Sequence, residues 1–438
     1  MRVALRLFAF AGAVAASSVL AMQAPAVAQD SDNFHVVKAI PFPPTAFQNP
    51  ANSGKVTSFD ISYVNPRLGL YVLGDRSSNA VDVVNVHNNH ISQLAVGAFK
   101  GVATTCASGN VNDCSGPDGV LIVEGREVWV GDGDSTVKIV NIAQNKVVDT
   151  LSTGGKFRVD EMCLDPRDEI VMVTNNADDP PFSTFFSTDG SRPNLGTIAF
   201  TTSTNGAEQC VWSPRTGKFY IAIPETSRVT PREGAVAVID PHNLGTIEKF
   251  FDIPLAGCKN PQGMAVGPDH QLLLGCNGAS GDGLNSTVVI DERDGHVIKT
   301  FNQQSGSDMV WFNPGNGHYF LARSAAAATT QRLGIIDAEG LTADTDIVVG
   351  PTGAPNAHSV AADPVTNKTF FPVPAGKNLC SQAPSAPAGI DAVGCIAVIK
   401  GKNDKDDCVA EGAPVIAVTD DGDSHFHKGE CRDHDDRD

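Results

Sequence analysis

Seven related segments recur along this chain, and each carries a polar or acidic residue six positions before a turn. The turns are Asn65-Pro66, Val123-Glu124, Asp165-Pro166, Ser213-Pro214, Gly267-Pro268, Asn313-Pro314 and Asp363-Pro364. The aligned residues are Asp60, Asp118, Asp160, Glu208, Gln262, Asp308 and His358. Repetition at a spacing of roughly 40 to 60 residues is typical of proteins built from stacked supersecondary units. Seven copies predict seven such units.

Each unit has the composition of paired β-strands. A short apolar run precedes the turn, and an aromatic or β-branched run such as Leu70–Leu73 or Ile170–Val173 follows it. Two further strand-like runs complete several units, most clearly Thr136–Asn141 and Lys146–Thr150. Four strands per unit, together with 42 glycines and 27 prolines, indicate an all-β chain folded as one seven-bladed β-propeller.

The two ends of the repeat array predict how the ring closes. Residues 34–41 have strand character and precede the first unit, whereas the last unit supplies three strands at 359–362, 369–373 and 395–400. A closed ring leaves no unpaired sheet edge between its first and last blades. We therefore expect the N-terminal strand to complete the final blade.

The N-terminus predicts export. Arg2 and Arg6 precede an apolar stretch, and Ala26-Val27-Ala28 provides small residues for cleavage by a signal peptidase. Residues 1–28 are interpreted as a signal peptide, 29–401 as the propeller and 402–438 as a tail. A transmembrane anchor is the alternative, but the apolar stretch is short for a bilayer. We expect a periplasmic or secreted protein without membrane insertion.

Ten cysteines fit an oxidising compartment, where disulfides are the default interpretation of an even count. The preferred local pairs are Cys106 with Cys114, Cys258 with Cys276, Cys380 with Cys395, and Cys408 with Cys431. Cys163 and Cys210 remain, and both lie near the start of the first strand in neighbouring units. A thiolate metal site is the alternative, but the sequence has no Cys-x-x-Cys spacing.

The tail is strongly acidic. Residues 402–438 contain twelve acids against five bases, which is typical of a solvated segment. His425, His427 and His434 are interleaved with these acids, so a metal-binding arm is the alternative. The whole chain has a formal charge of −18, and loss of Arg2 and Arg6 takes it to −20. Such a charge repels phosphate backbones, so nucleic acid is not an expected partner.

The seven aligned residues predict a site in the central channel, because the first strand of each propeller blade lines that channel. Five carboxylates, one amide and one imidazole would then surround one axis. Carboxylates that face one another favour either protonation or a bound cation, and oxygen ligands favour calcium or magnesium. The predicted metal ligands are Asp60, Asp118, Asp160, Glu208, Gln262 and Asp308. A water-filled channel lined by polar side chains is the alternative interpretation.

Two family resemblances follow from particular segments. Residues 70–84 and 128–140, with Gly-Asp after the second strand, resemble the repeat of the YVTN family of β-propellers. The segment Gln262-Gly263-Met264-Ala265, before Gly267-Pro268-Asp269, resembles the calcium-dependent lactonases and esterases of the gluconolactonase and regucalcin type. In that family an Asn is a metal ligand where this chain has Gln262. The resemblance implies a propeller fold, a calcium ion and hydrolysis of lactones or esters.

These observations lead to two classes of function. The first is a metal-dependent hydrolase of lactones or esters, in which the cation polarises a carbonyl and activates water. A neighbouring carboxylate such as Asp160, or His358, would then accept the proton. The second is a non-catalytic propeller that binds a small ligand in the channel or a protein on one face, with a propeller subunit of a periplasmic redox enzyme as a narrower variant.

One further segment has two interpretations. Phe182, Phe185 and Phe186 lie close together in sequence and could form an apolar lid on a loop. They could equally belong to a strand that packs between blades, because the apolar pattern does not distinguish the two.

Overall fold

The computed structural model describes residues 34–44, 54–228, 233–253, 258–277, 286–302, 304, 306–323, 330–351, 353 and 355–402. The predicted signal peptide, the Cys408–Cys431 pair and the tail histidines lie outside the described residues. Within these residues, no helix has the length and apolar character needed to cross a membrane.

Seven antiparallel sheets form the seven blades of a β-propeller. Blade 1 contains β2 (Ser62–Asn65), β3 (Leu70–Asp75), β4 (Ala80–Asn85) and β5 (Ile91–Leu94). Blade 2 contains β6 (Val120–Val123), β7 (Glu127–Gly131), β8 (Thr136–Asn141) and β9 (Lys146–Ser152). Blade 3 contains β10 (Met162–Asp165), β11 (Ile170–Asn175), β12 (Phe182–Ser187) and β13 (Asn194–Ala199). Blade 4 contains β14 (Cys210–Ser213), β15 (Lys218–Thr226), β16 (Glu233–Ile239) and β17 (Lys249–Asp252).

The remaining blades follow the same order. Blade 5 contains β18 (Pro261–Val266), β19 (Gln271–Cys276), β20 (Thr287–Asp291) and β21 (Val297–Phe301). Blade 6 contains β22 (Ser307–Asn313), β23 (His318–Arg323), β24 (Thr330–Asp337), β25 (Thr342–Ala343) and β26 (Ile347–Pro351). Blade 7 contains β1 (His35–Pro41), β27 (Ala361–Ala362), β28 (Thr369–Val373) and β29 (Cys395–Lys400). Short 3₁₀ turns occupy Val111–Cys114, Cys380–Gln382 and Ile390–Ala392.

The ring closes through its own N-terminal strand. β1 pairs antiparallel with β29, from His35 opposite Lys400 to Pro41 opposite Cys395. The order of blade 7 is therefore β1, β29, β28 and β27, with three strands from the C-terminal end of the propeller. This confirms the predicted closure and the all-β, seven-bladed architecture.

The second strand of a blade is more buried than its outermost strand. Every residue of β11 is buried, whereas β9 alternates between exposed and half-buried residues as an edge strand with one solvated face does. Phe185 and Phe186 belong to β12 and are buried. The interpretation of the phenylalanine segment as a strand packed between blades is thus confirmed, and the lid interpretation is wrong.

The first strand of a blade begins at a β-bulge, where two residues stand opposite one residue of the second strand. In blade 1 the Asp60 N–H donates to the Gly74 carbonyl at 2.9 Å, and the Gly74 N–H donates to the Ile61 carbonyl at 3.1 Å. The same irregularity occurs at Asp118, Asp160, Glu208, Gln262 and Asp308. Because a bulge redirects side chains locally, it brings the aligned residue and its successor to the same region.

Neighbouring blades approach each other closely at the bulge of blade 2. Gly119 follows Asp118, and a Cβ atom added to it would lie 1.7 Å from the carbonyl oxygen of Asp160 in the next blade. Any side chain at this position would therefore clash with backbone. Glycine here allows the inner ends of blades 2 and 3 to pack together.

Four of the predicted disulfides are present. Cys106–Cys114, Cys258–Cys276 and Cys380–Cys395 close local loops, with Cα–Cα distances of 5.6, 5.2 and 6.0 Å. Cys163–Cys210 joins β10 to β14, and hence blade 3 to blade 4, with a Cα–Cα distance of 5.8 Å. These bonds confirm the pairing predicted for the described cysteines.

Replacing both Cys163 and Cys210 by Ala should lower the free energy of unfolding more than replacing both Cys106 and Cys114. The first bond spans 47 residues and the second spans 8. The entropy of the unfolded chain predicts losses of about 4 and about 2.5 kcal/mol, respectively. Denaturant unfolding of the two double variants measures both values, and the reverse order would contradict an entropic origin.

Candidate functional site in the central channel

The structure places the seven aligned residues at equivalent points of their blades. Asp60, Asp118, Asp160 and Glu208 lie two residues before the first strand, and each donates its backbone N–H to the second strand at 2.9 to 3.0 Å. Gln262 and Asp308 are the second residues of β18 and β22, and His358 lies three residues before β27. The alignment made on the turns is therefore also a structural one.

Two arginines enter this ring of acids. The Arg76 guanidinium forms ion pairs with both Asp60 and Asp118, and its Nη1 donates to Asn112 Oδ1 at 2.6 Å. Arg76 lies in the turn between β3 and β4 and is 3 % exposed. Its guanidinium thus bridges the ring acids of blades 1 and 2.

Arg158 joins the same carboxylate oxygen of Asp60 to blade 3. Its Nη2 lies 2.7 Å from Asp160 Oδ2, and its Nη1 lies 3.4 Å from Asp60 Oδ2. The charges of these acids raise its pKa further above the usual range, although burial opposes the shift, so the guanidinium stays charged. Asp60, Asp118 and Asp160 are therefore held by cations that the chain itself supplies.

Neither arginine is among the residues predicted from the repeats, although the sequence contains a signal for one of them. Arg158 stands two positions before Asp160, where the other six repeats have Ser, Gly or Asn. A single charged residue at that offset marks a blade that differs from the rest. Arg76 lies in the turn between the second and third strands of blade 1, outside the segment that contains the aligned residue. Its position in the repeat therefore gives no such signal.

The arginines separate the pKa values of the acids that they contact. Burial raises the pKa of Asp60, but the charges of Arg76, His358 and Arg158 outweigh it and leave the value below the usual range. In Asp118, burial exceeds the effect of Arg76 and raises the pKa well above the usual range. Its Oδ2 atom is buried without a hydrogen-bond partner. Burial also raises the pKa of Asp160, to about 6, against the opposing charge of Arg158.

The other side of the channel is acidic without an arginine contact. We define the acidic half as Glu161, Glu208, Gln262 and Asp308. Burial and the charge of Asp160 raise the pKa of Glu161 well above the usual range. Burial, Asp160 and Asp308 raise the pKa of Glu208 to about 8. Glu208, Gln262 and Asp308 are half-buried, so solvent reaches this half of the ring.

His358 acts as a cation beside the acidic half. Its Nδ1 lies 2.9 Å from Asp308 Oδ2, and its Nε2 lies 2.9 Å from the carbonyl oxygen of Phe59. Both partners are acceptors, so both ring nitrogens donate. Burial lowers the pKa of His358, but Asp308 and Asp60 outweigh it and raise the value to about 9. A general base needs an unprotonated nitrogen, so the predicted role of His358 as base requires the loss of one of these bonds.

One amide side chain of this region bonds to the backbone of neighbouring blades, and a second accepts from another side chain. Gln209, the bulge residue after Glu208, accepts from Met264 N at 2.8 Å and from Val310 N at 3.2 Å. Its Nε2 donates to the Val310 carbonyl at 3.3 Å. Gln262 accepts from Asn277 Nδ2 at 2.6 Å. The first strands of blades 4, 5 and 6 are thereby connected through one buried side chain.

The donor set decides which metal could fit here. Ion pairs occupy four of the six predicted ligands, because Asp308 pairs with His358 as the other three acids pair with arginines. The remaining oxygen atoms of the acidic half form a set that suits calcium or magnesium. Within the described ranges, Asp291, Asp294 and His296 are the one group of three whose ligand atoms lie within 4.8 Å of one another, and that group is on the surface. A cation in the channel would accordingly share its coordination with water.

Comparison with known proteins supports the fold alone. No protein-family model matches the chain, and no curated protein matches it. A solved structure, "Crystal Structure of Mitotic Checkpoint Complex", contains a chain with a TM-score of 0.55 and 13 % identity. The match covers 89 % of this chain and 98 % of that chain. The chain is thus similar to a solved propeller over most of its length, while the two family resemblances stay predictions.

Replacing Arg76 by Met should strongly lower the free energy of unfolding. The change leaves Asp60 and Asp118 buried without their main cation, and loss of one partner from a buried ion pair typically costs about 3–5 kcal/mol. Denaturant unfolding measures the loss. Arg126→Met is the control, because Arg126 pairs with Glu124 at the surface, where the ion pair contributes little. Equal losses in the two variants would contradict the role given to Arg76.

Stability should fall as the pH rises from about 4.5 to about 8 in protein that has been freed of divalent cations. Glu208 has a pKa of about 8 in the folded protein, against a reference value of 4.5. Between these two pH values the folded state binds a proton that the unfolded state has released. The contribution of this proton to the free energy of unfolding is lost as the pH increases. Glu208→Gln should flatten the pH dependence of the unfolding midpoint, whereas Glu339→Gln, an exposed change, should leave it unaltered. An unchanged slope in Glu208→Gln would contradict the assignment.

Proposed function

We propose that this protein is an exported propeller that binds a small ligand through a hydrated divalent cation, with calcium as the first candidate, in the acidic half of its channel. One observation carries the proposal. The arginines form ion pairs with Asp60, Asp118 and Asp160, whereas Glu161 and Glu208 form no ion pair with any other described residue. The charge of Arg158 lowers the pKa of Glu208 but does not offset burial, Asp160 and Asp308. Export is inferred from the N-terminal sequence and fits the four disulfides, which are typical of oxidising compartments.

Electrostatics favour a cation over protons in this half of the ring. Carboxylates at a common site repel one another, and the shifted pKa values of Glu161 and Glu208 reflect that repulsion together with burial. A divalent cation relieves the repulsion at neutral pH without protonating the acids. The half-buried Gln262 adds a neutral oxygen donor, and the overall charge of the chain attracts cations to the protein.

Hydrolysis of a lactone or ester is a second candidate, favoured by the pKa of Asp160. A value of about 6 lies close to neutral pH, where a carboxyl group can exchange protons efficiently. The bound cation would polarise the carbonyl group and lower the pKa of a water molecule. Asp160 would accept a proton from that water. The imidazolium of His358 would hold Asp308 in place through the bond from its Nδ1.

The metal content of the mature full-length chain tests the proposal. We expect calcium to bind to the parent protein, and we expect the variant Glu208→Gln with Asp308→Asn to lose one equivalent, because two carboxylates of the acidic half are then neutral. Elemental analysis after dialysis and calorimetric titration with calcium provide the measurement. The variant Asp294→Asn with His296→Ala, which removes the surface group, is the matched control and should keep that equivalent.

Two outcomes would contradict parts of this proposal. If the parent and the channel variant bind the same amount of calcium, magnesium and zinc, the channel does not hold a metal. The non-catalytic alternative, in which a protein partner binds one face of the propeller, would then be tested by searching for such a partner. If metal binds but the Asp160→Asn variant hydrolyses lactones and esters as fast as the parent, the proton-accepting role of Asp160 is wrong.

A further inference from the structure

Three Asn-Gly pairs occur in this chain, at residues 205–206, 277–278 and 316–317. Such a pair is reactive because the backbone nitrogen of the glycine can attack the side-chain amide of the asparagine, and glycine has no Cβ atom to hinder the attack. Asparagine is accordingly one of the thermolabile residues of proteins. Gly278 lies outside the described residues, whereas both residues of the first and third pairs are described. These two pairs can therefore be compared directly.

The environment of Asn205-Gly206 leaves this pair open to the reaction. Asn205 is exposed and lies in the loop between β13 and β14. Among the described residues, none accepts a hydrogen bond from the Gly206 N–H, while the Gly206 carbonyl accepts from the Ser203 hydroxyl group. The attacking nitrogen is thus not held by a carbonyl group, and water reaches the amide that would be replaced.

Asn316-Gly317 has the same sequence in a protected environment. The pair lies in the short turn between β22 and β23, where the Gly317 N–H donates to the Asn313 carbonyl at 2.9 Å. Both polar side-chain atoms of Asn316 are buried. An attack by this nitrogen would break a hydrogen bond of the turn, and water does not reach the amide group. The fold therefore distinguishes two identical dipeptides.

We propose that Asn205 is a deamidation site, at which the folded protein acquires a carboxylate beside the acidic half of its channel. The nitrogen of Gly206 forms a bond to Cγ of Asn205, and its proton passes through water to the side-chain nitrogen, which leaves as ammonia. Water then opens the resulting succinimide at either carbonyl carbon and gives aspartate or isoaspartate at position 205. The reaction consumes water and releases ammonia, and it requires neither an enzyme nor a cofactor.

Asn205 begins a chain of amide groups that ends in the acidic half. Its Nδ2 donates to Asn260 Oδ1 at 3.2 Å, and Asn260 Nδ2 donates to the Asn277 carbonyl at 2.7 Å. Asn277 Nδ2 in turn donates to Gln262 Oε1 at 2.6 Å. An ionised carboxyl group only accepts hydrogen bonds. Deamidation would therefore remove the first bond of the chain and leave two acceptor oxygens facing each other.

The product also places a negative charge near Glu208. A Cβ atom added to Gly206 would lie 3.4 Å from Glu208 Oε1, so the backbone of the pair borders the acidic half. An aspartate is ordinarily ionised at neutral pH, and a nearby like charge disfavours the ionised form of a carboxyl group. The negative charge beside the acidic half would therefore increase with the age of the protein. This inference does not rest on the proposed function, because it holds with or without a cation in the channel.

Peptide mapping by mass spectrometry tests the proposal. The mature full-length protein is incubated at mildly alkaline pH, both folded and in denaturant, and is then digested at acidic pH, where the reaction is slow. In the folded protein we expect the fragment with Asn205 to gain the mass that separates a carboxyl group from an amide, while the fragment with Asn316 keeps its mass. In denaturant both fragments should gain this mass, because the protection of Asn316 comes from the fold.

The variant Asn205→Gln is the matched control. It keeps an amide group at the same position but lengthens the side chain, which disfavours attack by the nitrogen of Gly206, so its fragment should keep its mass under the same conditions. Two results would overturn the proposal. One is a folded parent whose Asn205 fragment is unchanged over a period in which the denatured parent reacts, and the other is equal conversion of Asn205 and Asn316 in the folded protein.

Discussion

Closure of the ring by the β1–β29 pairing is the constraint on which the rest of this structure depends. A propeller whose last blade lacked its fourth strand would expose a sheet edge along β29. With β1 in place, the seven first strands surround a single axis, and the bulges at the start of six of them face one channel. The channel chemistry therefore depends on a strand that is more than 350 residues from its partner in sequence.

The channel contains more acidic side chains than cationic ones, and the excess of acids lies on the side of Glu208. Asp60 lies within ion-pair range of both Arg76 and Arg158, and its pKa falls even though burial opposes the change. Glu208 lies across the channel, where Asp160 and Asp308 add to the effect of burial. One ring of equivalent positions thus contains carboxyl groups that prefer opposite protonation states. The repeats place these residues at equivalent positions, but the two arginines contact only some of them and so make their environments different.

The fold was predictable from sequence because its signals are local. Turn residues and the alternation of strands lie within a few positions of one another, so seven units, the β1 closure and the local disulfides followed from reading the chain. The ring positions were predictable for the same reason. Their ion-pair partners were not predictable, because Arg76 and Asp118 are 42 residues apart in sequence, and Arg158 and Asp60 are 98 apart.

Glu161 shows a second limit. Strict alternation along a strand places neighbouring residues on opposite faces, which predicts that only one of Asp160 and Glu161 faces the axis. The bulge at the start of β10 removes that choice, because the Asp160 N–H and the Glu161 carbonyl both bond to Thr174. The charges of Asp60, Glu208 and Asp308 all raise the pKa of Glu161, so its carboxyl group lies near the channel acids. A bulge of this kind leaves no mark in the apolar pattern. The roles of these residues as metal ligands or catalysts remain predictions.

Gln209 links blades that are not adjacent in the ring. In an array of repeats, each unit ordinarily contacts its two neighbours, and blade 4 would then transmit force to blade 6 only through blade 5. The side chain of Gln209 bonds directly to the backbone of Met264 in blade 5 and of Val310 in blade 6. Blades 4, 5 and 6 are therefore linked at their inner ends on the acidic side of the channel, and separating any two of them there would break bonds of one buried side chain.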